Sequence, residues 1–244
     1  MEKKEDLKKG SWQTDYNTHI EIYGDRFMDV KNFSLNIDDY ILHNHIEKFW
    51  QSCDGQCDVY EFGVYTGGTL RDISNKLDMY NISPRKIWGF DSFEGLPKET
   101  EGMLLEGMHW NEGAFSASDA LGVWDWETLE NILINKINKK NVELIKGFYH
   151  DTLNNDLFIK KDFKPAMFIN IDVDLYRSTI DVLKWMFSNK LVKTGTVIRY
   201  DDVSYIPEDQ GELKAHVEMC EMYKITYHRI NKEYFLITNT EYEL

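Results

Sequence analysis

Apolar residues at Ile37, Tyr40, Ile41, Ile46, Phe49 and Trp50 recur at the three-and-four spacing of one helix face. Asn36 can cap this helix, and Asp38 and Asp39 in its first turn suit the positive end of the helix dipole. The periodicity then changes. Residues 57–70 (CDVYEFGVYTGGTL) run from an apolar strand through glycines into a helix. Short apolar runs follow at Lys86–Phe90, Val142–Ile145, Pro165–Asp172 and Thr196–Tyr200, and each reads as a strand. Helical spacing fills the gaps at Leu70–Asp78, Ala120–Ile137, Thr179–Ser188 and Glu212–Tyr223. Two further strands, Lys224–His228 and Tyr234–Thr238, flank a turn at Asn231 and Lys232.

Near-continuous apolar strands alternating with helices predict a parallel sheet buried on both faces. The last two strands, joined by a short turn, must run antiparallel to each other. The expected fold is therefore α/β and Rossmann-like: a seven-stranded, mostly parallel sheet with a C-terminal antiparallel hairpin and helices on both faces. That is the architecture of class I methyltransferases. One domain spans residues 36–244, after a polar extension over residues 1–35 that has scattered aromatics and no clear period. Within the domain, Lys98–Ser118 is a long irregular loop rich in Gly, Met and Glu. Loops of that length in a compact domain serve as lids or binding loops. Both the loop and the extension are candidates for covering a site.

Composition narrows the function. The 244 residues carry 42 acidic and 28 basic side chains, a formal charge of −14. Phosphate contacts need a basic face, so nucleic acid is not an expected partner, nor is an anionic membrane. No apolar run approaches the ~20 residues that span a bilayer. The first ten residues (MEKKEDLKKG) lack the apolar stretch of a secretory signal. Cys53, Cys57 and Cys220 make an odd count, which suggests free thiols in a reducing cytoplasm. No second Cys/His pair matches the Cys53–Cys57 spacing, which argues against structural zinc. The oligomeric state stays open, with a homo-oligomer among the options.

In open parallel sheets, ligands sit outside the carboxyl ends of the strands. Here those ends carry Glu61 and Gly63, Asp91, Gly147, Asp172 and Asp174, and Asp201 and Asp202, one continuous polar rim. The first turn places Gly63, Gly67 and Gly68 as G-x-x-x-G-G, not the G-x-G-x-x-G dinucleotide fingerprint, which disfavours a nicotinamide cofactor. The turn has no phosphate-loop pattern and no basic residue to meet a phosphate. S-adenosylmethionine, which lacks phosphates, fits an acidic glycine-rich turn better, with Glu61 meeting its ammonium group directly or through water. Asp91 can accept hydrogen bonds from both ribose hydroxyls, but NAD would use it in the same way. Asp172 and Asp174 are two apart, and Asp201 and Asp202 end the expected neighbouring strand. Converging carboxylates repel, and a hard cation such as Mg²⁺ relieves the repulsion. Two solvated acidic turns are the plainer alternative.

Residues 59–69 (VYEFGVYTGGT), 88–97 (WGFDSFEGLP), 146–153 (KGFYHDTL), 171–179 (IDVDLYRST) and 199–202 (RYDD) together resemble the macrocin/mycinamicin O-methyltransferase family, which includes aminocoumarin-antibiotic members. These are metal-dependent sugar O-methyltransferases that use S-adenosylmethionine. The resemblance covers Ile37 to Thr238 and is loose over the 98–118 loop. It implies that Glu61, Gly63, Tyr65 and Thr69 frame the methionine end of the cofactor. It implies that Asp91 holds the ribose, flanked by Ser92 and Phe93, and that Ser118, Gly147 and Phe148 border the adenine. Asp174, Asp201 and Asp202 would bind Mg²⁺. Asp172 is the candidate general base, or else holds the cofactor's amino group. The stretches 114–118 and 123–126 depart from the family pattern, which bears on Ser118. The implied acceptor is a hydroxyl of a sugar or glycosylated small molecule, and the implied setting is natural product biosynthesis. Two other readings stand beside this one. A Rossmann-type oxidoreductase with a nucleotide cofactor is weakened by the missing fingerprint. A non-catalytic cofactor-binding protein would be favoured by a broken carboxylate trio, and the trio is intact.

Overall fold

The apolar runs become strands where their pattern predicts them. The computed structural model describes residues 39–98, 110–204 and 207–243. The 1–35 extension and most of the Lys98–Ser118 loop lie outside the described residues. Seven strands form one sheet: β1 (Asp58–Phe62), β2 (Ile87–Asp91), β3 (Val142–Lys146), β4 (Ala166–Ile171), β5 (Val197–Tyr200), β6 (Ile225–Arg229) and β7 (Tyr234–Thr240). Their order is β3-β2-β1-β4-β5-β7-β6. β1, β2, β4 and β5 are buried along their whole length, so they carry continuous apolar runs rather than alternating ones. β6 lies at a sheet edge, and its exposed positions alternate with more buried ones.

The first five strands pair in parallel, whereas β7 runs antiparallel to both β5 and β6. Asn231 Oδ1 accepts from the backbone N–H groups of Glu233 and Tyr234, 2.9 Å each, which shapes the expected turn before β7. β1 sits between β2 and β4, with Tyr60 opposite Trp88 on one side and Ile169 on the other. The strand order reverses at the β1/β4 boundary. In open sheets the carboxyl ends of the strands at such a reversal are where ligands bind.

Helix α1 covers residues 39–52, and its middle turn, Leu42–Ile46, has π geometry. It is followed by α2 (Gly68–Met79), α3 (Ala117–Leu121), α4 (Trp126–Ile137), α5 (Tyr149–Thr152), α6 (Asn155–Lys160), α7 (Tyr176–Ser188) and α8 (Gly211–Tyr223). The helix expected over Ala120–Ile137 is two helices. Gly122 ends α3 in the left-handed conformation, at φ +65°. Asp125 then starts α4 by accepting the Thr128 N–H at 2.9 Å. The short helix α6 escapes an apolar-period search, but Asn154 caps it in the same way, accepting from Leu157 N at 2.9 Å.

One face of the sheet buries Tyr60, Phe62, Trp88, Phe90, Phe163 and Trp185. The other buries Val59, Leu70, Ile73, Phe93, Leu133 and Phe168. Full burial of a large apolar side chain contributes about 1.5–3 kcal/mol, so these two layers hold the strand ends at fixed positions. The loop after β2 is pinned at its base: Leu96 N donates to Ala114 O at 2.8 Å, and Gly113 N to Leu96 O at 2.9 Å. No helix among the described residues is long and apolar enough to cross a membrane.

Candidate active site

Glu61 lies in β1, opposite Gly89 and Asn170, and is fully buried. Its Oε1 accepts from Asn170 Nδ2 at 3.3 Å. Its Oε2 has no hydrogen-bond partner among the described residues. Two residues on, Gly63 adopts φ +90°, and a Cβ there would stand 1.7 Å from the Asp172 carbonyl oxygen. Asp172 N in turn donates to Phe62 O at 2.9 Å. The carboxyl ends of β1 and β4 thus touch through backbone, which only glycine permits. Gly67 (φ +75°) turns the chain into α2. Gly68 opens that helix with no described atom within 4 Å of where a Cβ would stand, and half-buried Thr69 follows.

Asp91 ends β2 and ties three turns together. Its Oδ2 accepts from Val64 N (2.8 Å) and Tyr65 N (2.7 Å), and its Oδ1 from Phe93 N (2.6 Å). Burial raises its carboxyl group despite those donors. The Asp91 carbonyl accepts from Gly147 N at 2.9 Å, and the Phe93 carbonyl from Ser118 N at 3.1 Å. Ser92 Oγ donates to Gly95 O at 2.8 Å. The Phe93 ring is fully buried, 4.9 Å from Trp126, while half-buried Phe148 stacks on exposed His150 at 5.9 Å. Glu61, Gly63, Tyr65, Thr69, Asp91, Ser92, Phe93, Ser118, Gly147 and Phe148 therefore lie around the ends of β1, β2 and β3. Tyr65 (φ +49°), Phe93 (φ +58°) and Asp174 (φ +61°) are non-glycine residues held left-handed just past strand ends. Such conformations cost about 1–3 kcal/mol each and cluster at functional sites.

The second half of the rim is acidic. Asp172 and Asp174 follow β4 and are partly buried, and Asp202 follows β5 and is buried. Burial first, and the neighbouring Asp174 second, raise the Asp202 carboxyl group. Asp202 Oδ2 is buried without a partner among the described residues. Asp201 is drawn off by Arg199, whose Nη2 donates to Asp201 Oδ1 at 2.5 Å. As arranged, no three His, Cys, Asp or Glu side chains among the described residues converge on one metal position. The donor set still suits a hard cation. The Asp202 oxygen has no partner among the described residues, Asp172, Asp174 and Asp201 lie on the same two strand ends, and all the donors are oxygens.

Two further groups complete the rim. Glu212, in the first turn of α8, is fully buried. Its Oε1 accepts from Val173 N at 3.1 Å and its Oε2 from Asp202 N at 3.2 Å. Arg199 and Asn170 sit opposite each other on β5 and β4, in register with Glu61 on β1. Arg199 Nη1 donates to Asn170 Oδ1 at 2.9 Å, and Arg199 Nε to Glu233 Oε2 at 3.1 Å. Burial works against the guanidinium charge, and Asp201, Tyr234 and Glu233 together more than offset it. A buried polar row thus runs from Glu61 through Asn170 and Arg199 to Asp201.

Residues 41–216, a segment that contains every residue of this rim except Glu233, match the family model described as Macrocin-O-methyltransferase (TylF). The chain belongs to this family. It is 25% identical over 154 residues to demethyldecarbamoylnovobiocin O-methyltransferase of Streptomyces niveus, a match covering 62% of this chain and 54% of the relative. It is 26% identical over 126 residues to mycinamicin III 3''-O-methyltransferase of Micromonospora griseorubida, covering 52% of this chain and 48% of that one. The match thus spans about half the length of these relatives. The solved structure of the O-methyltransferase NovP superposes with a TM-score of 0.57 at 21% identity, over 86% of this chain and 84% of that chain. Macrocin O-methyltransferase membership and the expected class I architecture therefore agree.

The acids of this family member set a pH dependence. Burial first, and neighbouring carboxylates second, raise Asp172, Asp174, Asp202 and Glu212 well above the ordinary carboxylate range. A carboxyl group raised in the folded state holds its proton more tightly there than in the unfolded chain. Its contribution to stability is complete below about pH 4, where the unfolded group is still protonated. It is lost as pH rises through the folded value. In EDTA the chain should therefore melt at progressively lower temperatures as pH rises above about 4. Calorimetric scans check this. A flat or rising melting temperature would mean that these acids are ionised and solvated in the folded chain.

Proposed function

We propose that this chain is an S-adenosylmethionine-dependent and Mg²⁺-dependent O-methyltransferase acting on a hydroxyl of a sugar or glycosylated small molecule. The observation that carries this reading is a pairing across one crevice. An unpartnered Glu61 oxygen lies near the glycine turn, and a carboxylate cluster lies at the ends of β4 and β5. Family membership and the printed activities of the two relatives support the reaction and the class of acceptor.

When bound, the cofactor would supply a sulfonium methyl group, and Mg²⁺ would lower the pKa of an acceptor hydroxyl. Glu61 would hold the cofactor's ammonium group through its unpartnered Oε2, a charge-assisted contact that also offsets its burial. Asp91 would keep the glycine turn closed beneath the cofactor with its three amide contacts and offer its remaining lone pair to the ribose. Ser118, Gly147 and Phe148 would border the adenine. Asp174, Asp201 and Asp202 would hold the cation. Asp172 would take the proton that the acceptor hydroxyl loses; burial first, and its acidic neighbours second, raise its proton affinity, which suits a base.

Titration calorimetry tests the cofactor half. S-adenosylhomocysteine should bind with no comparable binding of NAD. Methyl transfer from labelled S-adenosylmethionine to a panel of glycosides and sugar nucleotides tests the acceptor class. Tighter binding of NAD than of S-adenosylhomocysteine overturns the reading.

A further inference from the structure

We infer that Glu212 is a positioning residue that sets the distance between the two acidic loops of the cation site, a role that rests on the Mg²⁺-dependent reading above. Val173 lies between Asp172 and Asp174 on the loop after β4, and Asp202 lies on the loop after β5. Nothing in the β4–β5 pairing extends this far, since the register ends at Ile171 opposite Tyr200. Beyond that point one backbone contact among the described residues, Asp201 N to Ile171 O at 3.1 Å, ties the second loop to the end of β4. Glu212 supplies a second tie from a third element. One carboxylate oxygen takes the Val173 amide and the other takes the Asp202 amide.

The chemistry of the side chain matters here. Both loops present N–H donors, so the bridge needs two acceptors and no donor, and among uncharged and charged side chains only a carboxylate offers that. The placement is also costly. Glu212 is fully buried with its Oε2 on the Asp202 amide, so it adds a carboxyl group to an already acidic pair of loops. A group that only filled the core would avoid adding negative charge beside Asp172, Asp174 and Asp202. A bound cation turns the same arrangement favourable, because the added carboxylate then lies within reach of its field. Glu212 also sits in the first turn of α8, whose helix dipole favours a carboxylate there. The helix itself packs along α7, so the bridge is anchored to a rigid pair of helices.

Two substitutions in the full chain separate this role from core support. Glu212→Gln keeps the shape but turns an NH₂ group toward one of the two amides. Glu212→Asp keeps the charge but is one methylene short of spanning both. Each variant should bind Mg²⁺ about ten- to a hundredfold more weakly by titration calorimetry, the range seen when groups that orient metal ligands are removed. S-adenosylhomocysteine affinity should stay within about twofold, since its candidate contacts lie at the ends of β1, β2 and β3 and their loops. Turnover should recover in excess Mg²⁺, so the shift falls on the activating metal concentration and not on the maximal rate. Unchanged Mg²⁺ affinity in the two variants, with the parent chain binding Mg²⁺ normally, overturns the inference. So does joint loss of Mg²⁺ and S-adenosylhomocysteine binding, which would mark Glu212 as support for the fold. A parent chain that neither binds Mg²⁺ nor responds to EDTA overturns the cation reading itself, which is a different result.

Discussion

Alanine in place of Gly63 should lower the melting temperature by about 10 °C and remove S-adenosylhomocysteine binding, the former matching about 4 kcal/mol in a chain of this size. The added methyl group would stand 1.7 Å from the Asp172 carbonyl oxygen. That neighbour is backbone at the end of a parallel pairing, held by the Asp172 N to Phe62 O hydrogen bond, so it cannot rotate aside. The φ of +90° adds a conformational penalty for any residue with a Cβ. To relieve the clash, the ends of β1 and β4 must separate, and the crevice between them widens. Gly68→Ala is the matching control. Its Cβ meets no described atom within 4 Å, so the melting temperature should hold or rise slightly. If the open space above Gly68 belongs to the cofactor, that variant should still bind S-adenosylhomocysteine more weakly. Equal behaviour of the two variants in both measurements would remove the steric account.

Asn in place of Asp202 should cut methyl transfer by about a thousandfold or more, as expected when metal activation of the hydroxyl is lost. EDTA should do the same to the parent chain, and added Mg²⁺ should reverse it. Asp202 is a better choice for this test than Asp201. Asp201 is the salt-bridge partner of Arg199, which reaches Glu61 through Asn170. Losing Asp201 would leave a buried guanidinium short of a partner and disturb the cofactor side as well. Asp202→Asn instead relieves repulsion with Asp174. In EDTA this variant should therefore melt at a higher temperature than the parent chain while being inactive with Mg²⁺ present, a separation of stability from activity typical of a functional site. Turnover that survives both EDTA and the substitution would reduce the acidic cluster to a solvated rim.

Much of this site was legible because parallel strands expose their chemistry at one end. Gly63, Asp91, Asp172 and Asp202 each stop an apolar run, and a run that stops on a polar residue needs no three-dimensional knowledge to be noticed. Asn170 and Arg199 were harder. They lie inside short apolar strands, where one polar residue reads as a position facing water. Their meaning depends on register, Glu61 opposite Asn170 opposite Arg199, and register is a relation between distant segments that local spacing does not carry. Glu212 was hidden differently. An acidic residue in the first turn of a helix is ordinary, and its amide partners are 39 and 10 residues away. The break between α3 and α4 did have a local signal, since Gly122 followed by Asp125 is a helix stop and start. Continued helical spacing through Leu129, Leu133 and Ile137 masked it.

The position of β7 bears on how the chain is made. β7 follows β6 in sequence, yet in space it separates β6 from β5. During synthesis the edge of β5 is therefore left open after β5 and even β6 have left the ribosome. The roughly 40 residues from Tyr200 to Thr240 take about 2–8 s to translate. For that interval a buried, apolar strand presents unpaired backbone groups, the situation in which sheets recruit the wrong partner. The hairpin must then enter as a unit, β7 docking on β5 and carrying β6 with it to the outside. Chains stalled or truncated between β6 and β7 should consequently be aggregation-prone, although they already contain every candidate cofactor and cation ligand.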